Sequence, residues 1–389
     1  MADSRHDGLE WGLVGVGGDG AEMVSRVVAD ATGDPFGDRI ALLGTNVADL
    51  RAYAAQIGAI ETGGCGEAAV DTDRLVTFGS QFDLTGVVPA ERQFRADAER
   101  VVESLRGVLG GADAIVYLAG GKAAWVVPTL VDRIGAAANG QASDAPAGGH
   151  RPRQFVVTTL PSDIGAVQPR FDACYALFGL LGSDDRRSPR TTFLVSRPTL
   201  REQYPLESTF RAGSNGLPYD PIVAAVDLFV AAGRRSEPLT SSHGTFGIAR
   251  DRPVGLDPAV AIEAAAHATF VPVDLSTVES VSLIVGAPEE QIRSDAITAV
   301  GVAGAFESWA AKRGLSDRTR GSTLVSRPGD GRTFDVLLVP TGVDLGPVVD
   351  PLRGAYEQGK AILERAESYR DLARAERLER RVRGGDSDD

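Results

Sequence analysis

Two glycine-rich turns in this 389-residue chain have the residue types and placement of phosphate-binding loops. The first, Gly15-Val16-Gly17-Gly18-Asp19-Gly20, follows a short apolar run and precedes a segment with apolar positions at Met23, Val24, Val27 and Val28. Strand, glycine turn and helix in that order aim backbone N–H groups at a helix start, where they bind phosphate oxygens. A dinucleotide-binding enzyme built on such a GxGxxG turn needs an acidic residue about 20 positions further on, at the end of the second strand. That strand ends here in Gly44-Thr45-Asn46, without an acid, so a nucleotide-dependent oxidoreductase stands only as an alternative. The second turn, Gly120-Gly121-Lys122-Ala123-Ala124-Trp125, follows the apolar run at 113–119. Glycines let a backbone close on a phosphate, and each added Cβ restricts it. Lys122 can replace the cradle with a point charge, as a P-loop lysine does. Trp125 either takes the room beside the helix start or packs between sheet and helix, and if partly exposed it is of the type that anchors interfaces.

The elements that must position these turns alternate. A second buried strand is read at 39–46, then a helix at 47–58, an irregular stretch at 60–89 and a long helix at 89–111. A helix over 123–138 fades into a Gly/Ala/Ser/Pro-rich loop. Strands at 154–161 and 191–198 flank a helix at 170–182. Alternation of this kind gives a mostly parallel sheet covered on both faces. Residues 219–234 are apolar on nearly every side, the pattern of a helix buried between two domains. Beyond them, strands at 244–250, 279–288 and 333–342 alternate with helices at 258–269 and 289–314, and 326–334 reads as a hairpin turn.

Composition narrows the function. A net charge of −13 argues against nucleic-acid binding. No apolar run reaches membrane-spanning length, and the N-terminal residues do not read as a signal peptide, so the chain is expected to be cytoplasmic. Cys65 and Cys174 form no CxxC pair, and His243 has no metal-ligand spacing around it. Lysine occurs only at 122, 312 and 360. That scarcity fits a salt-loving archaeon as well as codon bias in a high-GC genome. Self-repulsion at this charge is screened within roughly 3 Å in 1 M salt.

The order of segments resembles the tubulin/FtsZ superfamily of filament-forming GTPases over residues 9–365. LVGVGGDGAEMVSRV is similar to the opening glycine loop and first helix of FtsZ, and IALLGTNVADL to its second strand and loop. LGGADAIVYLAGGKAAWVVP resembles the segment that carries the signature loop GGGTGTG, with Pro128 on the family proline. FVVTTLPSDIG, YDPIVAAVDLFVAAGR and GTFGIAR followed by AIEAAAHA continue the match, and VVDPLRGAYEQGKAILERAE looks more like the archaeal CetZ branch. The resemblance implies a nucleotide-binding-type domain at 1–216, a central helix at 217–234, a smaller mixed α/β domain at 235–348 and a charged helix and tail at 349–389. It places Gly17, Gly18, Gly20, Gly120, Gly121 and Lys122 on the phosphates. Asn46 falls where a magnesium-side Asp is usual, Asp163 near the ribose-binding Glu, Thr199 at the guanine-side Asn, and Asp220 at a guanine edge or as a helix cap.

The departures from the family pattern are chemical. T-G-T-G becomes Lys122-Ala123-Ala124-Trp125, and the third loop, at Gly86–Arg92, lacks its glycine pair and asparagine. After the central helix, the acidic motif that polarises the attacking water in the next subunit is missing, and Glu237 is the only acid left there. The expectation is a diverged, non-hydrolysing member with no catalytic residue and no metal, binding GTP or GDP weakly or not at all. It would assemble with itself or with FtsZ/CetZ-like relatives in division or cell shape. A working GTPase with unusual loops is the alternative. In the tail, Leu363, Ala366, Tyr369, Leu372 and Ala373 form a narrow apolar stripe for packing or a partner. The tail does not resemble a membrane-anchor-binding peptide, so no membrane insertion is expected.

Overall fold

The computed structural model describes residues 9–31, 34–61, 72–79, 87–137, 152–160, 167–181, 190–204, 219–233, 243–251, 258–327, 333–354, 356–361 and 365. In chain order the first half comprises β1 (Trp11–Val16), α1 (Gly17–Asp30), β2 (Ile40–Gly44), α2 (Val47–Glu61), β3 (Leu75–Thr77), α3 (Val87–Leu109), β4 (Ala114–Ala119), α4 (Val127–Ala137), β5 (Arg153–Thr159), α5 (Val167–Leu181), β6 (Arg190–Val195) and α6 (Arg197–Gln203). The second half comprises α7 (Tyr219–Ala232), β7 (His243–Gly244), β8 (Gly247–Asp251), α8 (Pro258–His267), β9 (Ser280–Pro288), α9 (Glu289–Arg293), α10 (Ala299–Lys312), β10 (Thr319–Arg327) and β11 (Phe334–Thr341), with further helix at 346–354.

The strands form one sheet in the order β10-β9-β11-β7-β6-β5-β4-β1-β2-β3, with β8 also paired to β11. From β6 to β3 every pairing is parallel. Parallel strands covered on both faces must be apolar on both, and β1, β2 and β4 are buried at every residue. Along β4, Ala114, Val116 and Leu118 join the core beneath α1, α2 and α7, while Ile115, Tyr117 and Ala119 join the core beneath α3 and α4. The mixed α/β architecture expected from the sequence is the one observed.

Helix α7 is buried at every position except Asp220 and Ala231. Its side chains pack with Phe193 of β6 and with Phe246, Ile248, Ile284 and Leu337 of the second half in one core. Asp227, the single charge buried on this helix, receives the Arg327 guanidinium at the end of β10. Arg327 also reaches Asp335 of β11 at 2.5 Å, and Arg250 of β8 binds the same carboxylate at 2.7 and 3.0 Å. A fork of two N–H donors matched to a carboxylate has the geometry of a strong ion pair. No described helix is long and apolar enough to cross a membrane.

Four local readings change. The irregular stretch contains β3, whose three residues pair with β2 and are too few to show periodicity. The helix read from 123 begins instead as a 3-10 helix over Gly121–Val126, and α4 proper starts with Pro128 in its first turn, where the missing N–H costs no bond. The single helix read over 289–314 is two. Asp295 turns left-handed at φ 57°, and Thr298 caps α10 by accepting from the Gly301 N–H at 3.1 Å. The hairpin reading at 326–334 fails because β9 lies between β10 and β11, parallel to the first and antiparallel to the second. Glycine and proline mark a chain reversal without saying which strands it joins.

Replacing Arg327 by methionine removes a guanidinium from two buried carboxylates. We expect a loss of about 3 kcal/mol of unfolding free energy in urea titration, the scale for breaking a buried ion pair.

Candidate functional site

The connections of the sheet diverge at β1. β2 and β3 lie to one side, and β4, β5 and β6 to the other. In open parallel sheets the crevice at the carboxyl ends of such strands is the ligand site. Its walls here are the start of α1, after β1, and the 3-10 helix at Gly121–Val126, after β4.

The two glycine turns meet across this crevice. Gly17 has φ 72°, and a Cβ built on it would lie 2.5 Å from the Cβ of Ala123. Gly20 is glycine for packing, since a Cβ there would lie 2.2 Å from the Leu118 carbonyl oxygen of β4. Gly18 faces open space. A Cβ on Gly120 would lie 2.5 Å from the Asp19 Cβ and 2.7 Å from its Oδ2, so the Asp19 side chain fills the gap between the turns. Asp19 is the third residue of α1, and Val16 before the helix supplies no capping side chain. A carboxylate in that first turn is favoured by the free N–H groups and the helix dipole. Arg197, the first residue of α6, donates to Asp19.

Ser196 sets the position of Arg197. Its Oγ caps α6 by accepting from the Thr199 N–H at 3.3 Å and from the Thr199 hydroxyl at 2.8 Å. Tyr219, at the start of α7, borders the same charges and is 1% exposed. Burial, with the Asp19 and Glu22 carboxylates adding to it, pushes its phenol above the ordinary value. Arg26 lies over the Tyr219 ring at 5.3 Å and is held by Glu22 at 3.1 Å and Asp220 at 3.7 Å. Across α1, burial and the Glu22, Asp49 and Asp19 carboxylates raise Tyr53 as well.

The chain has the tubulin/FtsZ fold. Its structure is similar to that of CetZ from Methanosaeta thermophila strain DSM 6194, with a TM-score of 0.64 and 15% identity over 97% of this chain and 98% of that one. It is similar to the GTPγS-bound protofilament of CetZ2 from Haloferax volcanii, with a TM-score of 0.63 and 18% identity over 92% of this chain and 100% of that one. It is similar also to the empty FtsZ dimer of M. jannaschii, with a TM-score of 0.56 and 16% identity over 87% and 89% of the two chains. No protein-family model matches the chain, and no curated protein does.

The predicted site residues separate into groups. Gly17, Gly18, Gly20, Gly120 and Gly121 come together at the crevice. Lys122 lies in the 3-10 helix, and its side chain falls outside what is described, as do Asp163, Glu237 and the tail stripe. Asn46 is a cap. Its Oδ1 accepts from the Ala48 N–H at 3.1 Å, and its amide donates to Asp49 at 2.6 Å. Thr199 is spent on the α6 cap, and Asp220 on Arg26. His243 lies in β7 rather than a loop, its Nε2 2.9 Å from the Val343 carbonyl. Among the described residues no group of three or more His, Cys, Asp or Glu could hold a metal ion. Sequence reasoning missed Asp19, Arg197 and Tyr219. The legible signal was an acid inside a glycine phosphate turn.

Trp125 does not stand across the crevice. Its ring packs edge-on against Phe78 at 6.0 Å and Phe94 at 5.4 Å, on the core beneath α3. Trp125 is half-buried, so Trp125→Ala should lower unfolding free energy by about 2 kcal/mol, less than the loss of a fully buried aromatic. Thermal melts and sedimentation on the same variant check this. Weakened association with unchanged stability would make the indole an interface anchor instead.

Proposed function

We propose that this chain is a diverged tubulin/FtsZ-like assembly protein that acts through protein–protein contact and neither binds GTP tightly nor hydrolyses it. The observation that carries this reading is the Asp19 carboxylate, paired with Arg197 between the two glycine turns. A phosphate held there would meet a like charge. At 4 Å the repulsion is about 1 kcal/mol per charge pair in water and about 4 kcal/mol at an effective dielectric of 20. The Asp19 side chain is 37% exposed, so screening keeps each pair toward the lower value. A polyphosphate brings several such charges, the paired Arg197 offsets part of the repulsion, and each ~1.4 kcal/mol that remains is about tenfold in affinity. Contact of Ala123 with Gly17 narrows the same turn. The missing acidic motif after α7 removes the water-polarising groups of the family's hydrolytic joint.

Assembly is supported by the company the fold keeps. The similar CetZ2 structure is a protofilament, and the similar M. jannaschii FtsZ is a dimer described as empty. A body whose crevice is closed by its own ion pair needs no nucleotide to hold its top surface in shape. The partner is then a second copy or a related filament protein, in division or cell shape within the cytoplasm. The oxidoreductase alternative loses its footing at Asn46, which caps α2 where a ribose-binding acid is required.

Isothermal titration with GTP and Mg²⁺, in low and multimolar KCl, tests the reading. We expect a dissociation constant weaker than about 100 μM, a binding free energy smaller than about 5.5 kcal/mol. Sedimentation without nucleotide should show dimers or short oligomers. Tight GTP binding, or a strict monomer across the salt range, would overturn the proposal.

A further inference from the structure

Two polar groups beside the Asp19–Arg197 pair are left over. The Arg197 Nε and the Tyr219 hydroxyl are buried and have no hydrogen-bond partner among the described residues. Both can donate. Tyr219 is 1% exposed, and the charges nearest its hydroxyl include Asp19 and Arg197. Buried donors normally find partners, and an orphan marks a place where a ligand or water belongs. With the uncapped first turn of α1, they make a crevice with more donors than Asp19 can satisfy.

We infer that this crevice is a phosphate-anion site with Arg197 as its receptor, and that the Asp19 carboxylate is its resident anion, an internal competitor occupying the place of a ligand phosphate. The inference rests on the reading above, that the native chain holds nucleotide weakly, and it supplies the reason. The Asp19 carboxylate sits at a helix start against an arginine and bridges two glycine turns. Those are the three contacts a bound phosphate would make. A ligand must break that pair before it binds, so its apparent affinity is its intrinsic affinity reduced by the fraction of molecules in which Arg197 is free. The competitor is tethered, so dilution does not remove it.

Substituting the competitor should therefore create binding. The probes are inorganic tripolyphosphate, which reports the anion site alone, and GTP with Mg²⁺, which adds the base. Titration calorimetry on the full chain compares wild type, Asp19→Asn, Arg197→Ala and the double variant, each checked by thermal melt. Asp19→Asn should bind tripolyphosphate at least tenfold more tightly than wild type, and the double variant should lose that gain. Should Asp19→Asn fail to fold, Asp19→Ser carries the same expectation. Multimolar KCl should shrink the gain. Equal affinity in wild type and a folded Asp19→Asn, with both weak, would overturn this inference and the Asp19 explanation of weak nucleotide binding, while assembly without nucleotide would still stand on sedimentation. Tight GTP binding by wild type, unchanged in Asp19→Asn, would overturn both. A gain that persists without Arg197 would overturn the assignment of the receptor.

Discussion

A helix with no polar face cannot meet water, and that constraint on α7 organises the molecule. Twelve of its fourteen residues are buried, so both halves of the chain must close around it. The sheet runs unbroken from β3 to β10 through the two-residue β7, which joins β6 to β11. Arg327 ties the buried Asp227 to Asp335 and so fastens the helix to the far half of the sheet. Burying two carboxylates is costly unless guanidinium groups reach both, and Arg327 and Arg250 do. At the other end of the same helix, Tyr219 is carried to the crevice between β1 and β4.

On the proposed reading, that crevice keeps a binding geometry while changing what fills it. The strand ends, the helix start and the close-packed Gly20 remain, because they are demanded by the packing of α1 on β4 rather than by a ligand. What differs is charge. Asp19 places a carboxylate where the helix dipole favours an anion, and Arg197 neutralises it. On that reading the two turns are held together by the chain's own Asp19–Arg197 pair in place of a diffusible ligand. A protein of this kind would join partners without the cycle of binding and hydrolysis, and its association would respond to salt and concentration.

Much of this was legible in the sequence, for reasons that differ from element to element. β1, β2 and β4 announce themselves because strands buried on both faces are continuous apolar runs. Helix α7 does so because its apolar residues lie on every side. The order of these segments carried the fold. β3 was not legible, since three residues hold no period, and neither was the order of β10, β9 and β11, because pairing is decided by distant partners. At the site, the glycines and the replaced signature turn were visible, and the half-buried Trp125 takes the second of its two expected placements, packed against the core. Its indole is taken up by Phe78 and Phe94. Asn46 and Thr199, at positions the resemblance gives to ligand contacts, serve helix starts here, Asn46 as the cap of α2 and Thr199 as a donor to Ser196, the cap of α6. Asp19 was in plain view, but its meaning depends on Arg197, 178 residues away in the chain.

The central claim is that the chain's own carboxylate holds the phosphate position. The most direct measurement is a high-resolution crystal structure grown with GTPγS and Mg²⁺. The account predicts an intact Asp19–Arg197 contact, with no phosphate density between Gly17 and Gly121. Density for a triphosphate along the α1 start, with Arg197 turned onto it and Asp19 displaced, would contradict it.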